Sequence, residues 1–285
     1  MRLIPIFDTS VLSDLSDTET LAHLHARIPK HGCPISAVTL LELVYGLCRG
    51  DPAQVEQTLK PITLAYTLSR RGHVLPFPPN FLKKQIFQIN NWERDRVSTN
   101  LSNQLEAMLR PNFCARFLAG DVSEINCAFI EQMFEMTHRD FHENIRRLLD
   151  ELNPEWRKGG ERLTERRRQE IRNAIFVENA PRIYKQLLEG WDIPVSARNE
   201  EKVKHACDAH IEYQKNLTWL ILSTAYNFDE NARNDFHDWM QLLYLGHPPY
   251  CLVTADGKMK RRVEKSEQAA RILTVGEFIE TAAEL

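Results

Sequence analysis

Leu3-Ile4-Pro5-Ile6-Phe7-Asp8-Thr9-Ser10 is the stretch on which the fold turns. An uninterrupted apolar run meets an acid and two hydroxyls without transition. Such a run, too short for a helix and apolar throughout, is expected of a strand covered on both faces in a parallel sheet. The plan recurs twice near the other end of the chain. Cys251-Leu252-Val253 stops at Thr254-Ala255-Asp256, and the run over 270–275 stops at Gly276. Val74-Leu75, closed by Pro76-Phe77-Pro78-Pro79, is a weaker strand candidate.

Helical patterns follow the first strand. Ser16-Asp17-Thr18-Glu19 has capping-box spacing ahead of Leu21, Leu24 and Ile28. Further helices are expected over 39–47 and 52–69. This alternation implies an α/β fold with a parallel central sheet flanked by helices. The middle of the chain departs from it. Long 3.6-period segments cover 81–109, 122–152 and 161–189, broken at Pro111, at Pro154 with Gly159-Gly160, and at Asp192-Ile193-Pro194. The expected organisation is an α/β domain from 1–79 and 205–285, interrupted by an all-helical insertion over 80–204. A helix over 199–226 would carry the chain back.

Of the 285 residues, 43% are hydrophobic and 26% charged, a balance that excludes a disordered chain. A formal charge of −3 gives no global attraction to nucleic acid or anionic lipid, so such binding must come from local patches. The six cysteines, Cys33, Cys48, Cys114, Cys127, Cys207 and Cys251, form no C-x-x-C pair. That argues against a disulfide framework, an iron–sulfur site or a zinc ribbon, and fits a reducing compartment. The start is too short in apolar residues for a signal peptide, and Leu217–Leu222 is too short to cross a bilayer. A soluble, cytoplasmic protein with no membrane contact is expected.

In open parallel sheets chemistry gathers beyond the carboxyl ends of the strands. Asp8 and Asp256 both stand there. Glu42 lies just inside an expected helix, and Asp235 and Asp238, three apart, share one face of a helix over 229–245. Several carboxylates brought to one point repel one another unless a cation joins them. Hard divalent ions with oxygen ligands, Mg²⁺ or Mn²⁺, suit such a set.

Phe7-Asp8-Thr9-Ser10, Thr39-Leu40-Leu41-Glu42, Asn234-Asp235-Phe236-His237-Asp238 and Leu252-Val253-Thr254-Ala255-Asp256 together resemble the PIN-domain nuclease pattern. The Val74-Leu75-Pro76-Phe77 segment and the ending over 272–279 are similar to parts of the same pattern, and the gap from Asp238 to Asp256 fits a helix followed by a strand. The resemblance covers about residues 1–80 and 205–285, with the helical insertion as its departure. It implies a PIN-like fold and a metal-dependent endonuclease, a hydrolase that cuts phosphodiester bonds of single-stranded RNA, or of branched or single-stranded DNA. Asp8, Glu42, Asp238 and Asp256 would be catalytic and metal-binding, Asp235 would assist with metal, and Ser10 and Thr254 would support. A toxin-like or defence-related role, an inhibitory protein partner and a homodimer are expectations that come with it.

Each residue has a plainer explanation. Asp8 and Ser10 can cap a helix, and Asp256 stands in an ordinary turn sequence. Thr39-x-x-Glu42 is itself a capping-box pattern. Asp235 and Asp238 near a helix N-terminus would be favoured by its dipole alone. Lys258, Lys260, Arg261 and Arg262 follow Asp256 and are read as nucleic-acid-binding, through salt-dependent phosphate contacts. The basic run over 157–172 reads better as a solvated helix face. His138 with His142, and His205-x-Cys207-x-x-His210, invite a zinc reading, but Arg139 breaks the H-E-x-x-H pattern. His237 is expected to face solvent. Two rival functions stand beside the nuclease. One is a hydrolase using an aspartyl nucleophile, disfavoured by Ser10 at the position of its usual second acid. The other is a catalytically silent, nuclease-like module that binds nucleic acid or a partner.

Overall fold

The computed structural model describes residues 3–15, 18–69, 72–89, 96–152, 164–175, 180–223 and 228–282. Three short strands, β1 (Ile4–Phe7), β2 (Tyr250–Val253) and β3 (Ile272–Leu273), pair in parallel in the order β1-β2-β3. Phe7 faces Val253 in register, and Val253 faces Leu273. Ile6, Cys251, Leu252, Val253 and Ile272 are all buried, which is why every position of these strands is apolar. Pro5 is tolerated because β1 is an edge strand. The weaker strand candidate shrinks to a parallel bridge between Ile35 and Val74.

Helices account for most of the remaining chain. In order they are α1 (Thr9–Asp14), α2 (Thr18–Arg27), α3 (Ala37–Arg49), α4 (Val55–Ser69), α5 (Pro78–Gln85), α6 (Arg96–Met108), α7 (Phe113–Leu118) and α8 (Cys127–Leu152). They continue with α9 (Glu165–Asn173), α10 (Ala180–Gly190), α11 (Ala197–Ala206), α12 (Asp208–Ser223), α13 (Phe228–Gln241), α14 (Gly257–Arg262) and α15 (Val275–Thr281). The α/β class with a parallel sheet and flanking helices is therefore present. The expected helix over 199–226 is two helices, parted at Cys207, and its last residues lie outside those described, as do Ser16 and Asp17 of the expected cap.

Two compact units divide the chain. The first comprises Met1–Phe134, His247–Gly257 and Ala270–Leu285, and the second Glu135–Gly246 and Lys258–Ala269. The first unit's core joins Phe7, Val11 and Leu12 to Leu40, Leu41, Val44, Ile62 and Leu68. Leu101 and Leu105 of α6, Phe113 of α7 and Ile130 and Phe134 of α8 belong to the same core. Helices that follow Val74-Leu75 thus complete the hydrophobic interior around the sheet. The second unit buries Tyr213, Leu217, Leu242, Leu243, Tyr244 and Leu245.

The reading of the cysteines is corrected at one pair. Cys48, near the end of α3, is disulfide-bonded to Cys127, the first residue of α8, across 79 positions. Spacing rules detect only local cysteine motifs, whereas this pair is made by two helix ends meeting. Cys33, Cys114, Cys207 and Cys251 are not disulfide-bonded. Among the described residues no helix is long and apolar enough to cross a membrane.

Candidate functional site

Asp8 closes β1 and opens α1. Its backbone N–H donates to the Val253 carbonyl (2.9 Å), continuing the ladder one residue past the strand. Asp8 is almost wholly buried, at 5% exposure. A buried carboxylate needs donors, and the neighbouring turns supply them. Oδ1 accepts from the Thr9 N–H (2.8 Å), while Oδ2 accepts from Ser10 Oγ (2.6 Å) and Thr254 Oγ1 (2.9 Å). Thr254 Oγ1 in turn accepts from the Asp256 N–H (2.9 Å), and Ser10 Oγ from the Ala255 N–H (3.2 Å). Two hydroxyls therefore lace the turn after β1 to the turn after β2. Ser10 and Thr254, expected as supporting residues, contact Asp8 directly. The capping explanation of Asp8 is also true: it is the N-cap of α1.

Glu42 reaches the same place from α3. The capping-box explanation is overturned here, because the N-cap of α3 is Ser36, whose Oγ accepts from the Val38 and Thr39 N–H groups. Thr39 is instead buried, and its hydroxyl donates to the Phe7 carbonyl (3.1 Å), pinning α3 to the end of β1. Glu42 lies in the second turn, and its Oε2 accepts from the Thr9 hydroxyl. Thr9 had no assigned role in the sequence. The only signal for it was its place between Asp8 and Ser10.

Asp235 and Asp238 lie in the second unit. Both are buried on one face of α13, as their spacing implied. The dipole explanation fails for them, since Asp235 is two turns into the helix. The Tyr213 hydroxyl of α12 lies 3.0 Å from Asp235 Oδ1 and 3.3 Å from Asp238 Oδ2. Arg262 donates to both Asp235 and the Tyr213 oxygen, and its guanidinium lies 5.0 Å from the centre of the Tyr213 ring. Burial, reinforced by the two carboxylates, pushes the Tyr213 phenol well above its ordinary range. Burial opposes the charge on Arg262, but Tyr213 and Asp235 outweigh it and raise the guanidinium further. No spacing rule pointed to Tyr213, which reads in sequence as one more core aromatic.

The basic residues after Asp256 divide. Lys258 and Arg261 are exposed on α14 and Lys260 is half-buried, but Arg262 is turned inward, with its side chain 16% exposed and ion-paired to Asp235. In the run over 157–172, Arg166 and Arg167 pair with Glu170 on the surface of α9, while Arg157, Lys158 and Arg162 lie outside the described residues. His237 does not face solvent; it is buried, with its ring 5.5 Å from that of His138. His205 is exposed and bonded to Glu201, whereas Cys207 and His210 are buried, so that trio does not converge.

Among the described residues no three His, Cys, Asp or Glu side chains stand close enough to share one metal ion. Thr9 bonds to both Asp8 and Glu42, and Asp256 follows Thr254 at the end of β2. All the donors are hard oxygens, the ligand type taken by Mg²⁺ and Mn²⁺. In donor chemistry the cluster fits such an ion; the Asp8 and Glu42 carboxylates accept from hydroxyl and amide donors. No protein-family model matches the chain, and no curated protein or solved structure matches it.

Proposed function

We propose that this chain is a PIN-like, divalent-metal-dependent endonuclease acting on single-stranded RNA. One observation carries the reading: acids and hydroxyls from β1, α1, α3 and β2 are knitted together at the carboxyl ends of adjacent parallel strands. Asp8 and Glu42, both bonded to Thr9, would hold Mg²⁺ or Mn²⁺ through two carboxylates and water. A bound divalent ion supplies a more acidic water and neutralises charge developing on the phosphoryl oxygens. Ser10 and Thr254 fix the Asp8 carboxylate, so that it need not reorganise when a cation or a phosphate arrives. Lys258 and Arg261, exposed just after Asp256 in the chain, would draw the phosphate backbone by charge alone. Such contacts confer no base preference.

End-labelled single-stranded RNA and DNA, incubated with Mg²⁺ or Mn²⁺ and with EDTA, test the reading. Cleavage that EDTA abolishes, and that Asp8→Asn lowers by at least two orders of magnitude, is the expected result. Cleavage by Asp8→Asn at the wild-type rate would remove the proposed site. RNA retention without cleavage under any metal would instead identify the silent binding module.

A further inference from the structure

Thr9 donates two hydrogen bonds, and they go to different acids. Its backbone N–H donates to Asp8 Oδ1, and its hydroxyl donates to Glu42 Oε2, 33 positions further along. Asp8 is held by the end of a strand, so its carboxylate inherits the rigidity of the sheet. Glu42 is projected from α3 by a long, half-buried side chain with three rotatable bonds. A side chain of this length gives up rotamer freedom wherever it is held in one place. Thr9 is well suited to order it. Its χ1 is stiff because Cβ is branched, and its backbone is fixed as the first helical residue after the Asp8 cap. The direction of the hydroxyl is therefore set by the same turn that sets Asp8.

We propose that Thr9 is a positioning residue that holds the Glu42 carboxylate in register with Asp8, so that both acids are presented together to one hard divalent cation. The inference rests on the nuclease reading of the cluster. It assigns no contact between Thr9 and the ion or substrate; Thr9 acts through Glu42. Outer groups that orient a ligand in this way typically govern 10–100-fold in metal affinity.

The test is Mn²⁺ binding by calorimetric titration of wild type, Thr9→Val, Thr9→Ser, Glu42→Gln and the Thr9→Val/Glu42→Gln double variant, with thermal melting of each in EDTA. Valine keeps the shape and loses the hydroxyl; serine keeps the hydroxyl. Thr9→Val is expected to weaken Mn²⁺ binding about tenfold or more, with Thr9→Ser close to wild type. In the Glu42→Gln background, Thr9→Val should change the affinity no further, because the residue it serves is already lost. Equal affinities for wild type and Thr9→Val would overturn the inference while leaving the metal site standing. So would fully additive losses in the double variant, which would show that Thr9 works independently of Glu42. A wild-type protein that binds no Mn²⁺ overturns this inference together with the nuclease reading.

Discussion

His210 shows how a single side chain can make the second unit sensitive to acid. It is fully buried, its Nδ1 lies 2.7 Å from the Trp239 carbonyl, and its ring stacks on the Trp239 indole at 4.2 Å. Nδ1 must carry the proton in that bond, and the buried Nε2 finds no hydrogen-bond partner among the described residues. Burial pulls its pKa down from the ordinary 6.5 to about 3, only partly offset by the bond to Trp239. The unfolded chain therefore takes up a proton below pH 6.5 that the folded chain refuses until about pH 3. The stabilisation is complete above pH 6.5 and is lost progressively as pH falls through that window. One proton corresponds to about 1.4 kcal/mol per pH unit. Urea unfolding between pH 7 and pH 5, above most carboxylate titrations, should show this slope. His210→Phe, which keeps an aromatic ring against Trp239, should flatten it. An unchanged slope in that variant would refute the assignment.

Elements are held together here by a few long-range ties. In the second unit, Arg262 of α14, Asp235 of α13 and Tyr213 of α12 form one buried, charged contact. Such a pair is weak evidence for stability in itself, yet removing one partner strands the other in a poorly solvated place. Arg262→Met should therefore destabilise the protein by roughly 3–5 kcal/mol. Adding Asp235→Leu should recover much of that loss, since the carboxylate that Arg262 directly paired is then gone as well. Denaturant titration of the single and double variants checks this, and a double variant no more stable than Arg262→Met would count against it. In the first unit, the Cys48–Cys127 disulfide ties α3, which carries Glu42, to the start of α8. A loop of this length constrains the unfolded chain by about 4 kcal/mol. Cys48→Ala in the oxidised protein, or dithiothreitol with wild type, should lower the urea midpoint correspondingly, and the reductant should have no further effect on Cys48→Ala.

On the scale of the whole molecule, charge argues against a general affinity for nucleic acid. With a formal charge of −3, binding of RNA must rest on local basic groups such as Lys258 and Arg261. Each phosphate contact to a single strand contributes about 0.7 to the slope of log affinity against log salt. Replacing Lys258 and Arg261 with alanine should therefore lower the slope by about 1.4, and weaken binding about equally across sequences. The measurement is RNA binding in EDTA over a range of salt concentrations. Arg262, bound inward to Asp235, should contribute little to that slope, which separates it from its neighbours on α14.

Much of the fold class was legible because burial on both faces of a parallel strand forces an uninterrupted apolar run, and the chain must then turn. That constraint is local, and it is enough to put Asp8 and Asp256 just beyond the ends of apolar strands. Helix periodicity likewise put Asp235 and Asp238 on one face. Periodicity reports which way a side chain points relative to its own backbone, not what it meets. The partnership of Thr9 with Glu42, the joining of Cys48 to Cys127 and the inward turn of Arg262 toward Asp235 span 33, 79 and 27 positions. Helices brought together in three dimensions decide such meetings. The same holds for His237, whose polar character suggested solvent but which the packing of α13 buries beside His138. The sequence by itself determined where the chain could place acids at strand ends; only the tertiary structure decided which hydroxyls, thiols and cations would answer them, because those partners come from distant segments whose approach depends on the packing of entire elements.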